Sequence, residues 1–140
     1  QYEISNFAKP GFQCKHNLKY WQLKPYLGFG PSAHSYYKGK RFFYPRDLAA
    51  FIKTNGNNAA EEPLPEQPVF DYLMLGLRLT EGVSISALKQ KYKVDTAPLL
   101  NRAERYISAG YMHQKSGVLS MTPEGFLVSN TLIADLMNTL

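Results

Sequence analysis

The feature that most constrains the fold is a ten-residue stretch near the middle of the 140-residue chain, Ala59-Ala60-Glu61-Glu62-Pro63-Leu64-Pro65-Glu66-Gln67-Pro68. Three prolines fix φ and remove backbone donors, and three glutamates add like charge. Neither a helix nor a central strand is expected to run through it. It therefore predicts two modules, residues 1–58 and 68–140, joined by a linker over 59–67. The two sides differ in chemistry. Residues 1–60 hold nine Lys/Arg against two acids, Glu3 and Asp47, for a formal charge of +7, and 13 of the 19 aromatic residues. Residues 61–140 hold seven basic against nine acidic residues, for −2. An anionic partner would thus meet the front module. With 44% apolar and 14% aromatic residues the chain can build a core and is not of the disordered class. The single cysteine, Cys14, excludes a disulfide framework within the chain and points to a reducing, cytoplasmic compartment. No apolar run approaches the ~20 residues of a membrane span. The chain opens on Gln1 without a signal-peptide pattern, in QYEISNFA, which reads as a strand already begun, so a piece of a longer protein is expected.

The front module reads as short strands and turns. Residues 1–7 predict a strand with Tyr2, Ile4 and Phe7 as its apolar positions, and Lys9-Pro10-Gly11 breaks it. Residues 13–25 show no helix or strand repeat. Tyr26-Leu27-Gly28-Phe29-Gly30-Pro31 predicts a short buried strand entering a tight turn, and residues 34–44 a hairpin around Lys38-Gly39-Lys40. Asp47 is placed to cap a helix through Thr54, stopped by Asn55-Gly56.

The back module is more regular. Phe70, Leu73, Met74 and Leu77 fall at i, i+3, i+4 and i+7, which predicts a helix over 68–80. Ser84 or Ser86 caps a helix to about Tyr92. Thr96 and Pro98 start another, with Leu99, Leu100, Ala103, Tyr106 and Ile107 as its stripe and Gly110 just past its end. A hairpin turns at Lys115-Ser116-Gly117. Thr122-Pro123 starts one final helix with Phe126, Asn130, Ile133, Ala134 and Met137 on its inner face. The class is α+β, and three helices, a hairpin and a last helix predict a winged-helix-like domain. Its third helix offers Arg102 and Arg105 but also Glu104 in a net-negative module, too little cationic surface for nucleic acid. Docking of nucleic acid or protein by this domain remains a third functional reading.

Chemistry concentrates in two front segments. His16-Asn17-Leu18-Lys19-Tyr20-Trp21 packs an imidazole, an amide, a phenol and an indole into six residues. Imidazole and phenol can ligate heme iron, and the ring faces can stack on a planar group. The bland reading is an aromatic loop over the end of a sheet. Cys14 and His16 lack the second ligand pair of a metal site. Gly28, Gly30, Ala33 and His34 form a small-residue strand end that a ligand could approach closely, or simply a tight turn. The Walker and dinucleotide fingerprints are absent, as are a Gly-x-Ser-x-Gly elbow, a His-Glu-x-x-His and a cysteine pair, so no catalytic residues are assigned.

Taken with Tyr2-Glu3-Ile4-Ser5-Asn6-Phe7-Ala8, Leu73–Val83 and Leu119–Gly125, these segments resemble the C-terminal part of the HemW-type radical S-adenosylmethionine (SAM) family. That family is related to HemN, the oxygen-independent coproporphyrinogen III oxidase. The resemblance spans essentially the whole chain. It implies the closing strands of an incomplete (β/α) barrel, then a winged-helix-like domain. It implies SAM and a 4Fe-4S cluster, the cluster held by a Cys-x-x-x-Cys-x-x-Cys motif that this chain lacks. The ligands are therefore expected upstream, and the chain alone is expected to do no radical chemistry. The resemblance further implies heme binding and transfer to heme proteins, a membrane-associated acceptor among them, with oxidative decarboxylation of coproporphyrinogen as the alternative. His16, Asn17, Tyr20 and Trp21 would then meet heme, His16 as the axial ligand and Tyr20 as the second choice. Gly28, Gly30, Ala33 and His34 would line the SAM and substrate wall. Tyr26 and Phe29 add ring faces, and Lys15, Lys19, Lys24, Lys38, Lys40 and Arg41 could meet propionates. An unpartnered sheet edge in the front module would favour self-association.

Overall fold

Caps and glycine turns mark out the elements of the computed structural model, which describes residues 1–63 and 68–140. In chain order these are α1 (Lys15–Trp21), β1 (His34–Tyr37), β2 (Lys40–Phe43), α2 (Leu48–Lys53), β3 (Ala60–Glu62), α3 (Pro68–Gly76), β4 (Val83–Ser84), α4 (Ile85–Gln90), α5 (Ala97–Ser108), β5 (Met112–Lys115), β6 (Val118–Met121), α6 (Pro123–Leu127) and α7 (Ser129–Met137). The fold is mixed α/β. Among the described residues the strands form two antiparallel three-stranded sheets, β1-β2-β3 and β4-β6-β5, and no closed barrel.

The chain divides into two compact units, with a division in the expected linker and a second, unexpected one after Leu23. Residues 1–23 pack with 68–140, and residues 24–63 form the other unit. The reason lies in the first residues. Instead of a seven-residue strand, only Tyr2–Ile4 pair, and they pair with the chain after α3. Ile4 N donates to Arg78 O at 2.8 Å, Thr80 N donates to Tyr2 O at 3.2 Å, and Glu3 bridges Leu79. Tyr2 is buried there, while Phe7 is 72% exposed.

In the unit of residues 24–63, Lys38 and Gly39 both have positive φ (50° and 74°), which suits the two-residue hairpin turn between β1 and β2. The Asp47 side chain accepts from Ala50 N at 2.9 Å and caps α2 as expected. Strand β3 was not expected, because it enters the proline-rich stretch. Its three residues precede Pro63 and keep their backbone donors, and its glutamates meet the basic hairpin. Glu61 lies 2.7 Å from Lys40 Nζ, and Glu62 lies 3.2 Å from His34 Nδ1. The rest of the expected linker, residues 64–67, lies outside the described residues. The expected buried strand at 26–31 shrinks to one bridge, Tyr26 with Tyr36, and leaves Leu27 and Phe29 exposed.

The other unit holds the apolar core, with Leu73, Leu77, Leu88, Leu99, Leu119 and Leu136 fully buried. The Ser84 hydroxyl caps α4 through Ala87 N, and the Thr122 hydroxyl caps α6 through Gly125 N. Ser116 and Gly117, both at positive φ, turn the β5–β6 hairpin. Helix α3 ends at Gly76, short of Thr80; a Cβ there would meet Val83 Cγ1 at 2.5 Å, and the chain beyond it turns to carry Leu79 to Glu3. The expected single last helix is two. It breaks at Val128 (φ −121°), so the inner face becomes Phe126, Ser129, Leu132, Ile133 and Leu136, and Asn130 and Ala134 face solvent. Residues 13–25 were expected to be irregular, yet seven of them form α1. Two turns are too short to display a repeat. No helix among the described residues is long and apolar enough to cross a membrane.

Helices α5 and α7 are clasped by polar groups. Tyr106 Oη donates to Asp135 Oδ2 at 2.5 Å, and Arg102 Nη1 donates to Asp135 Oδ1 at 2.6 Å. The Tyr106 hydrogen bond, and then the Arg102 charge, hold the Asp135 carboxyl below its ordinary range. The same bond, with burial second, pushes the Tyr106 hydroxyl up. The Asp135 contribution to stability is thus present above the ordinary aspartate value and lost as pH falls through the lower folded value. The Tyr106 contribution is present below the ordinary tyrosine value and lost as pH rises through the higher folded one. The groups are partly exposed, so both effects are modest. Thermal melts across pH should show the acid-side loss flattened in Asp135→Asn and the alkaline loss flattened in Tyr106→Phe. Unchanged profiles in both variants would contradict the clasp.

Candidate functional site

Helix α1 has two unlike faces. Lys15, His16, Lys19 and Tyr20 lie toward solvent, while Asn17, Leu18 and Trp21 are partly buried. This follows from spacing, since residues four apart share a helix face. On the outer face His16 and Tyr20 meet: their ring centroids lie 5.1 Å apart, edge to face, and His16 Nε2 is 2.9 Å from Tyr20 Oη in a hydrogen bond. Of the four residues singled out in the His16–Trp21 segment, these two come together on the surface. The other two turn inward. Asn17 Nδ2 donates to Tyr2 Oη at 3.3 Å and to Glu3 Oε1 at 3.5 Å. Trp21 joins Tyr72, Gly76, Leu79 and Gly82 around a pocket of about 170 Å³, with its indole Nε1 buried and without a hydrogen-bond partner.

The second segment lies in the unit of residues 24–63. His34 Nδ1 faces Glu62 Oε1, and its ring stacks on Phe43 at 5.5 Å. Gly28 N donates to Ser35 Oγ at 3.0 Å, and a Cβ at Gly28 would sit 2.4 Å from the His34 carbonyl oxygen. A side chain at Gly28 is thus excluded by the chain's own backbone. Gly30 (φ +96°) instead has nothing within 4 Å of where a Cβ would stand, and its carbonyl accepts from Ala33 N. Among the surface cations, Lys40 is engaged by Glu61, and Arg41 lies 6.0 Å from the centre of the Tyr36 ring.

Sequence reasoning missed Glu3. It is fully buried, and its carboxylate accepts from Ser5 N at 3.1 Å, from Ser5 Oγ, from the Asn6 amide and from Asn17. The available signal was an acidic residue between two apolar ones, Tyr2 and Ile4, in a segment with only one other acid.

The HemN C-terminal domain family model matches residues 64–128. The heme chaperone HemW of Synechocystis sp. is 40% identical over 106 residues, covering 71% of this chain and 26% of that protein. The heme chaperone HemW of Bacillus subtilis is 32% identical over 146 residues, covering 100% of this chain and 38% of that protein. The chain belongs to the HemW/HemN family. It spans between about a quarter and two-fifths of the length of these HemW relatives. The solved structure of coproporphyrinogen III oxidase (HemN) from Escherichia coli, a radical SAM enzyme, matches with a TM-score of 0.62 at 16% identity, over 84% of this chain and 29% of that one. At that identity the likeness speaks for the fold. The single cysteine of this HemW-type chain, Cys14, is exposed, and one thiol does not make the set of ligands a cluster needs.

The tight fit at Gly28 gives a direct test. Gly28→Ala should lower the stability of the hairpin unit by about 1–3 kcal/mol, because the added methyl meets fixed backbone. Denaturant melts followed by aromatic fluorescence report this. A neutral substitution would mean that the loop has room to spare.

Proposed function

We propose that this chain is the heme-contacting C-terminal part of a HemW-type heme chaperone, which binds heme and passes it to heme proteins. The observation that carries this reading is the outward His16–Tyr20 pair on α1, flanked by Lys15 and Lys19. Imidazole nitrogen and phenol oxygen are both heme-iron ligands, and lysines suit propionates. Binding iron through Nε2 requires the His16–Tyr20 hydrogen bond to open, which leaves the phenol beside the iron site. The names of the HemW relatives support the same cargo.

In this reading the parent protein uses SAM and a 4Fe-4S cluster whose cysteines lie outside this chain. Gly30, Ala33 and His34, with the backbone at Gly28, form part of the SAM and substrate wall. The hairpin β1–β2 closes an incomplete barrel, and α3 to α7 with β5–β6 form a winged-helix-like domain. The protein acts in the cytoplasm, and its acceptors are heme proteins.

Titration of the full-length protein with heme, followed at the Soret band, tests the site. His16→Ala should weaken binding by at least about tenfold, and Tyr20→Ala should weaken it less. Wild-type binding by both variants would contradict the proposal. Anaerobic formation of protoporphyrinogen from coproporphyrinogen III by the reconstituted protein would favour the oxidase reading instead.

A further inference from the structure

We propose that Glu3 and Asn17 are positioning residues for the His16–Tyr20 face, an inference that rests on the heme reading of that face. Helix α1 has seven residues, none fully buried, and no side-chain cap at its N-terminus. Such a helix is marginal by itself, so something must hold its rotation about its axis. Leu18 and Trp21 are partly buried on its inner side.

The polar contact at Asn17 fixes that rotation. Glu3 is fully buried, and a buried carboxylate requires donors. Ser5 N–H, Ser5 Oγ and the Asn6 amide are its local donors, two and three residues away. Asn17 is the distant one, 14 residues on, and its amide also reaches the Tyr2 hydroxyl. At about 100° per residue, Asn17 lies about 100° round the helix from His16 and about 60° from Tyr20, at the edge of the inner side, so holding its amide inward keeps both rings on the exposed side. Glu3 is itself immobilised, because the backbone of Tyr2 and Ile4 is tied to Arg78 and Thr80 on either side. The support therefore runs from the helical core to Tyr2–Ile4, to the Glu3 carboxylate, to the Asn17 amide and so to the outer face of α1. No atom of Glu3 or Asn17 needs to touch the cargo.

The test uses the full-length protein with two readouts: hydrogen exchange of the backbone amides in residues 15–21, and the heme titration. Asn17→Asp is nearly isosteric but sets an acceptor against the Glu3 oxygens, and Asn17→Ala removes the donor without adding charge. Both should speed exchange in residues 15–21 and weaken heme binding roughly tenfold, the usual order for a residue that supports a metal ligand. The paired variant Glu3→Gln with Asn17→Asp restores one donor–acceptor contact with its polarity reversed, and should recover part of both losses. Wild-type exchange in Asn17→Asp and Asn17→Ala overturns the Glu3–Asn17 hold on α1. Faster exchange with unchanged heme affinity overturns the positioning role. If His16→Ala and Tyr20→Ala both leave heme affinity unchanged, the heme reading itself has failed. Exchange data still report the Glu3–Asn17 contact separately in that case.

Discussion

Burial of one carboxylate, Glu3, constrains the arrangement around α1 more than any other single interaction. A charged group of this kind enters an interior only where donors converge on it. Here Ser5 and Asn6 turn back onto it and α1 brings Asn17 across, while backbone bonds to Arg78 and Thr80 hold Tyr2–Ile4 against the chain after α3. The first 23 residues therefore join the helical unit, although their basic and aromatic character matches the hairpin that follows them.

From that constraint follows the two-faced character of α1. Its inner face carries a hydrogen-bonding amide and an indole over a small pocket, and its outer face carries an imidazole and a phenol in contact with each other. Groups able to ligate iron are thus presented by a short element that has little stability of its own and is held by its neighbours. Membership of the HemW/HemN family supplies the context in which such a face makes chemical sense. A helix that is fixed in rotation but lightly packed can expose its ligands without spending core contacts on them.

Local rules made much of the fold legible. Asp47, Ser84 and Thr122 cap the helices where their hydroxyl or carboxylate oxygens predict, and Lys38-Gly39 and Ser116-Gly117 turn the two hairpins. The departures are places where distant contacts decide. Strand β3 forms by pairing with β2, and its Glu61 and Glu62 meet Lys40 and His34 across the sheet, which no local pattern reveals. The last helix breaks at Val128, after a Gly125 whose missing side chain lets the Tyr111 carbonyl approach, and its face rotates away from Asn130 and Ala134. At the site, residue types pointed to His16 and Tyr20 but could not show that Asn17 and Trp21 turn inward, because two turns of helix hold too few residues to reveal a face. Glu3 was hidden for a different reason: an acid between apolar neighbours does not by itself show that Ser5, Asn6 and Asn17 converge on it.

The central claim is that heme is met by the outer face of α1. The structure of the full-length protein loaded with heme tests it most directly. The account predicts iron bonded to a His16 ring nitrogen, the Tyr20 hydroxyl beside it, and Asn17 still turned toward Glu3. Iron bound elsewhere, with the His16–Tyr20 hydrogen bond intact, would contradict it.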